Sequence, residues 1–317
     1  MKRSVIRQLH TKRQEVLLGA AVGEDCAAVE LKEDEIFVLS TDPITGTAQD
    51  IGRLAVLITT NDLASAGAEP VGLMLTLLLP EDFEEPQLKK LMQELEEACA
   101  EVSVQIMGGH TEVTRAVTQP VITICGVGKV KKDRLVSTGG ARPGMDILVT
   151  KWIGLEGTTI LAKAKDDELC ERFAPDFVDR AKAFDQYLSV IKEAQIAAHC
   201  GVAAMHDVTE GGIFGALWEM AEASGIGLSI DLKKIPIRQE TVEVCEFFDI
   251  NPYELISSGC MLMAASDGNA LVRALQAAGI AATIIGKATA GNDRVIINDD
   301  EQRFLEPPKT DELYRVM

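Results

Sequence analysis

A helical run that leads into an amide and acid pair is the feature that most constrains this chain. Apolar side chains recur at helical spacing over residues 51–57, and Asn61 and Asp62 follow within a segment of alanine, serine and glycine. A carboxylate among such small side chains adds little to packing, and burying it without a partner is costly. Taken alone, the pair could cap the start of a helix, and its meeting a cation is the alternative that the other motifs of the chain favour.

The size and charge of the chain limit its architecture and its partners. A length of 317 residues predicts two domains, and an aromatic content of only 4% predicts an aliphatic core. The net charge of −18 argues against nucleic acid or an anionic membrane as partner, because both need a basic face. A phosphate ligand stays compatible with this charge, since Mg²⁺ and backbone amides can neutralise it locally.

The cysteine spacing and the lack of long apolar runs indicate a cytoplasmic protein. Seven cysteines lie far apart without any CxxC spacing, which predicts buried, reduced thiols and not a disulfide or zinc framework. Cys125 is predicted to be a core residue of a strand. The N-terminal sequence lacks the apolar region of a signal peptide, and no apolar run reaches the roughly 18 residues of a membrane helix.

Apolar runs predict a mixed α/β (α+β) fold. Strands are expected at 36–40, 71–79 and 121–130, and a helix at roughly 86–102, whereas 1–18 is predicted to be a short amphipathic helix or arm.

Pro43 is expected to end the first of these strands. Asp42 would then lie at the carboxyl end of a strand, where ligand groups are often found. A turn-forming aspartate is the alternative for Asp42.

A glycine pair after the next strand predicts close approach of the backbone to a ligand. Gly108 and Gly109 lead into His110 and Thr111. His110 is a candidate ligand or hydrogen-bond donor to a phosphate, with a satisfied turn histidine as the alternative.

A composition break at 137–144 divides the chain into predicted domains 1–140 and 141–317. Lys151, at the end of the first strand of the second domain, is a candidate counter-charge for a phosphate, or else a solvated lysine. Asp207 and Thr209 precede a helical run at 213–223 as candidate N-caps. Gly211 and Gly212 are expected to leave that helix start open to a small anion.

Several motifs, in their order along the chain, resemble the aminoimidazole ribonucleotide synthetase (PurM-like) superfamily. The resemblance implies two α/β domains and a homodimer in which the N-terminal sheets pair into a β-barrel. It also implies ATP and Mg²⁺ in an acidic cleft, with transfer of the γ-phosphate to a small acceptor. The motifs are residues 23–29 (GEDCAAV), 41–42 (TD), 50–56 (DIGRLAV), 61–64 (NDLA), 67–70 (GAEP), 108–111 (GGHT), 141–146 (ARPGMD) and 206–212 (HDVTEGG).

Within the superfamily, the sequence is most similar in style to the HypE family of hydrogenase maturation factors, which implies a maturation-type protein partner. The resemblance assigns Mg²⁺ and the phosphates to four aspartates, with His110 and Asp207 as candidate catalytic groups. The implied metal ligands are Asp25, Asp42, Asp62 and Asp207, and the implied nucleotide-binding residues are Asp25, Asp42, Asn61, Gly108, Gly109, Thr111, Gly211 and Gly212.

Three positions depart from the family pattern. HypE proteins end in a cysteine whose thiol carries the reacting group, whereas Met317 is the last residue here. A thioether cannot become a thiolate, so this chain is expected not to perform that reaction. Glu24 replaces an aspartate found in several relatives. His110 stands where phosphate-transferring relatives often have an aspartate, and imidazole is a poorer Mg²⁺ ligand than carboxylate.

These features lead to one main functional hypothesis and two alternatives. Phosphoryl transfer needs metal-held phosphates and backbone donors more than covalent help, and the aspartates and glycines could supply both. We therefore expect a HypE-like, ATP-dependent enzyme that acts on an unidentified small acceptor. A non-catalytic, dimeric nucleotide-binding protein with a regulatory or assembly role is the first alternative. A kinase similar to thiamine-monophosphate kinase is the second.

Overall fold

The structure is a computed structural model that describes residues 4–20, 26–45, 50–307 and 309–317. The chain divides into two compact units. Unit 1 comprises Met1–Ala64 and Ala68–Leu135, and unit 2 comprises Ser65–Gly67 and Val136–Met317. Both units mix helices and strands, as predicted. None of the helices in the described ranges is long and apolar enough to cross a membrane.

The described part of unit 1 contains a four-stranded sheet, a two-stranded sheet and two long helices. The four-stranded sheet has the order β3–β6–β4–β5, with β4 and β5 parallel and the other neighbours antiparallel. The elements are β1 (Val16–Leu18), β2 (Ala28–Val29), β3 (Glu35–Thr45), α1 (Ile51–Ser65), β4 (Glu69–Leu79), α2 (Glu85–Glu101), β5 (Gln105–Val113) and β6 (Val121–Lys131).

Helix α1 packs closely on one face of the sheet at a glycine of β6. Leu63 of α1 is fully buried and forms an apolar cluster with Ala68 and Val130. A Cβ atom at Gly126 would lie 2.6 Å from Cγ2 of Thr59 and 3.1 Å from Cδ1 of Leu63. Interiors are packed too densely to absorb such contacts without a shift, so the glycine sets how near the helix lies to the sheet.

The opposite face of the same sheet carries exposed apolar side chains. Along β3, Phe37 and Leu39 are 48% and 65% exposed and alternate with residues that face α1. Cys125 of β6 lies opposite Met74 of β4, and both are half-buried. The prediction that Cys125 belongs to a strand is confirmed, but its side chain is not in the core.

Strand β3 continues through Pro43, so the prediction that this proline ends the strand is wrong. β3 spans Glu35–Thr45 and pairs along its length with β6 at the edge of the sheet. Proline is tolerated in an edge strand because its missing N–H can face away from the ladder. Asp42 therefore lies within β3, opposite Ile124, and not at the carboxyl end of a strand.

The N-terminal segment decides between two predicted alternatives, and the cysteines differ in part from expectation. The described part of the segment forms a short 3-10 turn at Ile6–Gln8 and strand β1, which excludes the amphipathic helix and leaves the arm. All seven cysteines are free thiols, as predicted, but Cys26, Cys170 and Cys200 are exposed. Helix α2 matches its predicted position and begins with a capping box in which Glu84 and Gln87 bond each other's backbone.

A charge network holds the N-terminal segment onto unit 1. The Arg13 guanidinium donates to both carboxylate oxygens of Glu15, at 3.0 and 2.9 Å. Arg13 Nη1 also donates to the carbonyl of Ser103 at 2.9 Å. Lys129 Nζ lies 2.5 Å from Glu15 Oε1. The hydrogen bond from Arg13 therefore holds the pKa of Glu15 well below its usual range, despite the opposing effect of partial burial.

The described part of unit 2 is built on a seven-stranded sheet with the order β13–β12–β9–β11–β7–β10–β8. β12 and β9 are parallel, and the other neighbours are antiparallel. The strands are β7 (Asp146–Thr150), β8 (Ala204–Val208), β9 (Gly227–Asp231), β10 (Cys260–Ala265), β11 (Ala282–Thr289), β12 (Arg294–Asn298) and β13 (Glu301–Phe304). The helices are α3 (Leu155–Ala164), α4 (Asp166–Cys170), α5 (Pro175–Lys182), α6 (Ile191–His199), α7 (Gly212–Ser224), α8 (Gln239–Phe248) and α9 (Gly268–Ala277).

Helix α7 contributes much of the core of unit 2. It is apolar on nearly all sides, with Leu217 and Met220 fully buried against strands such as β7 and β10. A helix that is apolar all round is typical of a buried position. Because α7 starts soon after β8 ends, this packing fixes the loop that carries the predicted residues Gly211 and Gly212.

The Glu15 network predicts acid-sensitive stability. Glu15→Gln should lower the free energy of unfolding at pH 7 by more than about 1 kcal/mol, because it removes charge-assisted hydrogen bonds. A pKa that is lowered in the folded state stabilises the fold above the ordinary carboxyl pKa of about 4.3, and this contribution is lost as pH falls below it. The wild-type advantage in urea unfolding should therefore shrink from pH 7 to pH 3.

Glu81→Gln is the matched control, because Glu81 pairs with Arg115 at an exposed surface site. An exposed pair contributes little, so this variant should unfold almost like wild type at both pH values. Equal losses for the two variants, or a Glu15→Gln effect that is the same at pH 7 and pH 3, would contradict the role given to the network.

Gly126→Ala should destabilise unit 1 by about 1–3 kcal/mol, the usual range for overpacking a core. The added methyl group would collide with Cγ2 of Thr59. Thr59→Ser removes that carbon and keeps the hydroxyl that bonds the Ala55 carbonyl at 3.0 Å. The double variant should therefore recover part of the loss in urea unfolding. Additive losses in the double-mutant cycle would show that close packing at Gly126 is not the cause.

Candidate functional site

Asn61 and Asp62 lie well inside helix α1, which begins at Ile51. This position excludes the helix N-cap that the sequence left as an alternative. Asn61 is 1% exposed, and Asp62 is half-buried. The pair is thus held on a rigid helix at the face that meets the sheet.

Ser40 brings Asp42 and Asp62 together. The Ser40 hydroxyl donates to Asp62 Oδ2 at 2.5 Å and lies 3.5 Å from Asp42 Oδ2. Ser40 and Asp42 share one face of β3 because side chains alternate along a strand. Sequence reasoning missed Ser40, although its position two residues before Asp42 was the signal that could have found it. The carboxylates of two predicted metal ligands therefore converge on one hydroxyl group.

The Ser40–Asp42–Asp62 group fits Mg²⁺ in its chemistry. It offers carboxylate and hydroxyl oxygens from two separate elements, and Mg²⁺ typically takes one or two carboxylates together with waters and phosphates. Within residues 4–20, 26–45, 50–307 and 309–317, no three His, Cys, Asp or Glu side chains are grouped closely enough to hold a metal ion. The predicted ligand Asp25, with its neighbour Glu24, lies outside the described residues.

The predicted glycine pair lies in β5, beside the parallel strand β4. A Cβ atom at Gly109 would lie 1.9 Å from the carbonyl oxygen of Leu75, and the φ angle of Gly109 is +143°. Gly109 is therefore required by the approach of the two strands, whatever ligand it meets. Gly108 would place its Cβ 3.2 Å from the sulfur of Met74.

His110 projects from β5 and is not a turn histidine. Its side chain is 66% exposed, and Nε2 lies 3.8 Å from Glu112 Oε2. Together with Gly108, Gly109 and Thr111, His110 lines a cavity of about 100 Å³ against Ile6, Leu9 and other apolar residues of unit 1. Such a volume is below that of a typical cofactor pocket, so this cavity could admit only a small part of a nucleotide.

Asp207 is in unit 2, near a buried carboxyl that the sequence did not single out. Asp207 is 6% exposed and lies on β8 opposite Met261. Glu156, in the first turn of α3, is 2% exposed and accepts a hydrogen bond from the Ser258 backbone at 3.3 Å. Burial raises the pKa of Glu156 to about 7, and the Asp311 and Asp207 carboxylates act in the same direction. No local pattern distinguished Glu156 from an ordinary acid at a helix start.

The start of α7 already carries an anion from the chain itself. Gly211, not Asp207 or Thr209, is the N-cap, with a left-handed φ of +79°. Its N–H donates to Asp311 Oδ2 at 2.7 Å, and the Gly212 N–H donates to the Thr209 carbonyl at 3.0 Å. Both donors that were predicted to meet a phosphate thus have protein acceptors in this structure.

Lys151 is neither a solvated lysine nor open to a phosphate, so both readings from the sequence are wrong. Its side chain is 11% exposed, and Nζ lies 2.6 Å from Glu193 Oε1. Nζ also donates to the carbonyls of Tyr187 and Ser189, at 2.8 and 2.6 Å. Lys151 therefore joins the end of β7 to the loop before α6.

Comparison with known families matches most of the chain. The N-terminal domain model of AIR synthase related proteins matches residues 23–130, and the C-terminal domain model matches residues 142–298. A putative hydrogenase expression/formation protein of Methanocaldococcus jannaschii is 33% identical over 310 residues, which cover 94% of this chain and 90% of that protein. The carbamoyl dehydratase HypE of Cupriavidus necator is 31% identical over 263 residues, covering 80% and 73%.

Solved structures with the same fold include HypE proteins and a kinase. HypE in complex with ATP superposes with a TM-score of 0.79 at 24% identity, covering 93% of this chain and 91% of that one. The HypE–HypF complex superposes with a TM-score of 0.74 at 24% identity, covering 86% of this chain and 90% of that one. Thiamine-monophosphate kinase of Stenotrophomonas maltophilia superposes with a TM-score of 0.75 at 19% identity, covering 90% of this chain and 92% of that one.

These similarities extend over both units and agree with the order of the motifs in the sequence. The two matched domain models account for the mixed α/β architecture of the two units. The chain is therefore a member of the AIR synthase-related family, has its PurM-like fold, and is related to the HypE hydrogenase maturation proteins.

Proposed function

We propose that this chain binds ATP with Mg²⁺ in the cytoplasm and transfers phosphoryl groups to an unidentified small acceptor, in the manner of a HypE-like enzyme. The convergence of Asp42 and Asp62 on Ser40 is the observation that carries the proposal. Two carboxylates from separate elements are the ligand set that Mg²⁺ uses when phosphates complete its shell. The relation to HypE, which has been solved with ATP, supports the nucleotide part of the proposal.

In this proposal the described residues bind and orient, and the nucleotide supplies the reactive phosphoryl group. Asp42 and Asp62 hold the cation from β3 and α1, and Ser40 keeps the two carboxylates aligned. Phosphoryl transfer depends mainly on such positioning and charge neutralisation. Asp25 and Asp207 are the further proposed metal ligands, and His110 and Asp207 are the candidates for proton transfer. The proposed nucleotide contacts are Asp25, Asp42, Asn61, Gly108, Gly109 and Thr111; Gly211 and Gly212 are left out because their N–H groups donate to Asp311 and Thr209.

The second candidate function is nucleotide binding without turnover, in a regulatory or assembly role. HypE has been solved in complex with HypF, which supports a maturation-type protein as partner of this chain as well. A kinase activity like that of thiamine-monophosphate kinase is the third candidate, since the fold is shared at a TM-score of 0.75.

Calorimetry followed by a turnover assay separates these candidates. Titration with ATP and Mg²⁺ should show saturable binding that is lost when EDTA replaces Mg²⁺. An absence of binding at millimolar nucleotide would contradict both leading candidates. ADP release that needs an added acceptor would favour the enzyme, whereas binding without release under any acceptor would favour the assembly role.

Asp62→Asn should weaken Mg²⁺-dependent ATP binding at least about tenfold, because it removes a charged metal ligand. The amide keeps an oxygen that can accept from Ser40, so the thermal midpoint should stay close to wild type. Asp82→Asn is the control, because Asp82 is an exposed aspartate of unit 1 outside the group. Equal ATP affinity in Asp62→Asn and Asp82→Asn would remove Asp62 from the metal site.

We further propose that the open face of the four-stranded sheet is the homodimer interface. Leu39 and Phe37 are exposed on it, and Met74 and Cys125 are half-buried beside them. Apolar side chains that are exposed together on one face of a sheet indicate an interaction site. A second copy of the chain could cover it by pairing the same face, as a two-fold interface requires.

Leu39→Lys should therefore convert the dimer to a monomer of 34.2 kDa in sedimentation equilibrium. A lysine buried at the centre of an apolar interface leaves an unpaired charge, which strongly disfavours association. Leu135→Lys is the control, since Leu135 is 51% exposed in unit 1 but outside the sheet. A monomeric wild type, or a dimer that persists in Leu39→Lys, would contradict this interface.

A further inference from the structure

A cavity in unit 2 has no role in the function proposed above. It measures about 310 Å³ and lies between the first turn of α7 and the hairpin of β12 and β13. This volume is at the lower end of the range for small-molecule sites. Its walls include Phe214, Ile296, Arg303, Phe304 and Leu305.

Arg303 is one of two cationic residues in the lining of this cavity, and its guanidinium rests on an aromatic ring. Its guanidinium carbon lies 5.2 Å from the centroid of the Phe214 ring. Phe214 is itself fixed, because it is 6% exposed and stacks on Tyr253 with centroids 5.2 Å apart. A guanidinium that rests on a fixed ring loses less freedom when it binds a ligand.

The hydrogen-bond donors of Arg303 have no acceptor in the part of the protein that the structure describes. In the described ranges, its side chain forms no hydrogen bond and no ion pair with another residue. Arg294, on the neighbouring strand, instead pairs with Glu222 at 2.5 Å. A guanidinium carries five N–H donors in a planar fork that matches a carboxylate or a phosphate. Arg303 therefore offers an unused oxyanion contact within a cavity.

The other charges around the cavity limit the ligand to a small one. Lys309 is paired with Glu306 at 2.6 Å, and both side chains are about 70% exposed or more. Glu254 adds a further carboxylate to the lining. These acids would repel a triphosphate, whereas a single oxyanion at Arg303 can be accommodated. Phe304, which is 70% exposed, and Leu305 offer apolar contact to the rest of the ligand.

We propose that this cavity binds a small organic oxyanion, a carboxylate or a phosphate monoester, through Arg303, with the apolar body of the ligand against Phe304 and Leu305. The cavity shares no residue with the Ser40–Asp42–Asp62 group that is proposed to hold the cation in unit 1. Recognition combines one charge-assisted contact with burial of apolar surface, so an anion that has an apolar body binds more tightly than the bare ion.

Calorimetric titration of the full-length chain with benzoate, phenyl phosphate and inorganic phosphate tests the site. At least one of the two organic anions should bind saturably and more tightly than inorganic phosphate. Arg303→Met keeps an apolar stem but removes the donors, and it should weaken that binding about tenfold or more. Preference for benzoate or for phenyl phosphate identifies the carboxylate or the phosphate as the natural head group.

Arg273→Met is the matched control, because Arg273 is also an exposed arginine of unit 2 but is absent from the cavity. It should bind the organic anions like wild type, and both variants should keep the wild-type thermal midpoint because both side chains are exposed. Three results would overturn the proposal: no saturable binding of either organic anion, equal affinity in Arg303→Met and wild type, or loss of ATP affinity in Arg303→Met to the same extent as loss of anion affinity.

Discussion

The close packing of helix α1 against strand β6 is the constraint on which the candidate site depends. Gly126 has no side chain, so Thr59 and Leu63 of α1 can lie directly on the sheet. The same approach brings Asp62 within hydrogen-bond distance of Ser40 on the neighbouring strand β3. Two acids on rigid elements are thus held together by core packing, and the cost of placing like charges near each other is met by burial of apolar surface around them.

Local patterns were sufficient to predict much of the fold. The positions of β4, β6 and α2 follow from runs of apolar residues at strand or helix spacing, because burial of one face depends on neighbours in sequence. The membership of Asp42 and Asp62 in one group followed only from the family resemblance. Their contact runs through Ser40. It depends on the register in which β3 pairs with β6 and on the position of α1 against the sheet. Neither is encoded in a short window of sequence.

Three of the wrong predictions depended on what distant parts of the chain supply or leave out. The local sequence predicts that Pro43 ends a strand. Because β3 lies at the edge of the sheet and has only one neighbouring strand, the missing N–H of Pro43 interrupts no hydrogen bond on the open side. Lys151 reads as a free cation, but Glu193 and two carbonyls of a later loop enclose it. The open helix start at Gly211 is met by Asp311, which lies in the final turn of the chain. Sequence shows which donors exist and not which of them are already used.

An external anion can bind to this acidic chain only where hydrogen-bond donors are not already used by the protein. With a net charge of −18, the protein has an excess of its own carboxylates to satisfy cations and helix starts. Asp311 does so at Gly211, and Glu222 does so at Arg294. A ligand must displace such internal partners, and it then gains only the difference between two similar interactions. Among the residues that the structure describes, Arg303 has no such internal partner and rests on the Phe214 ring, so an oxyanion there has only water to displace.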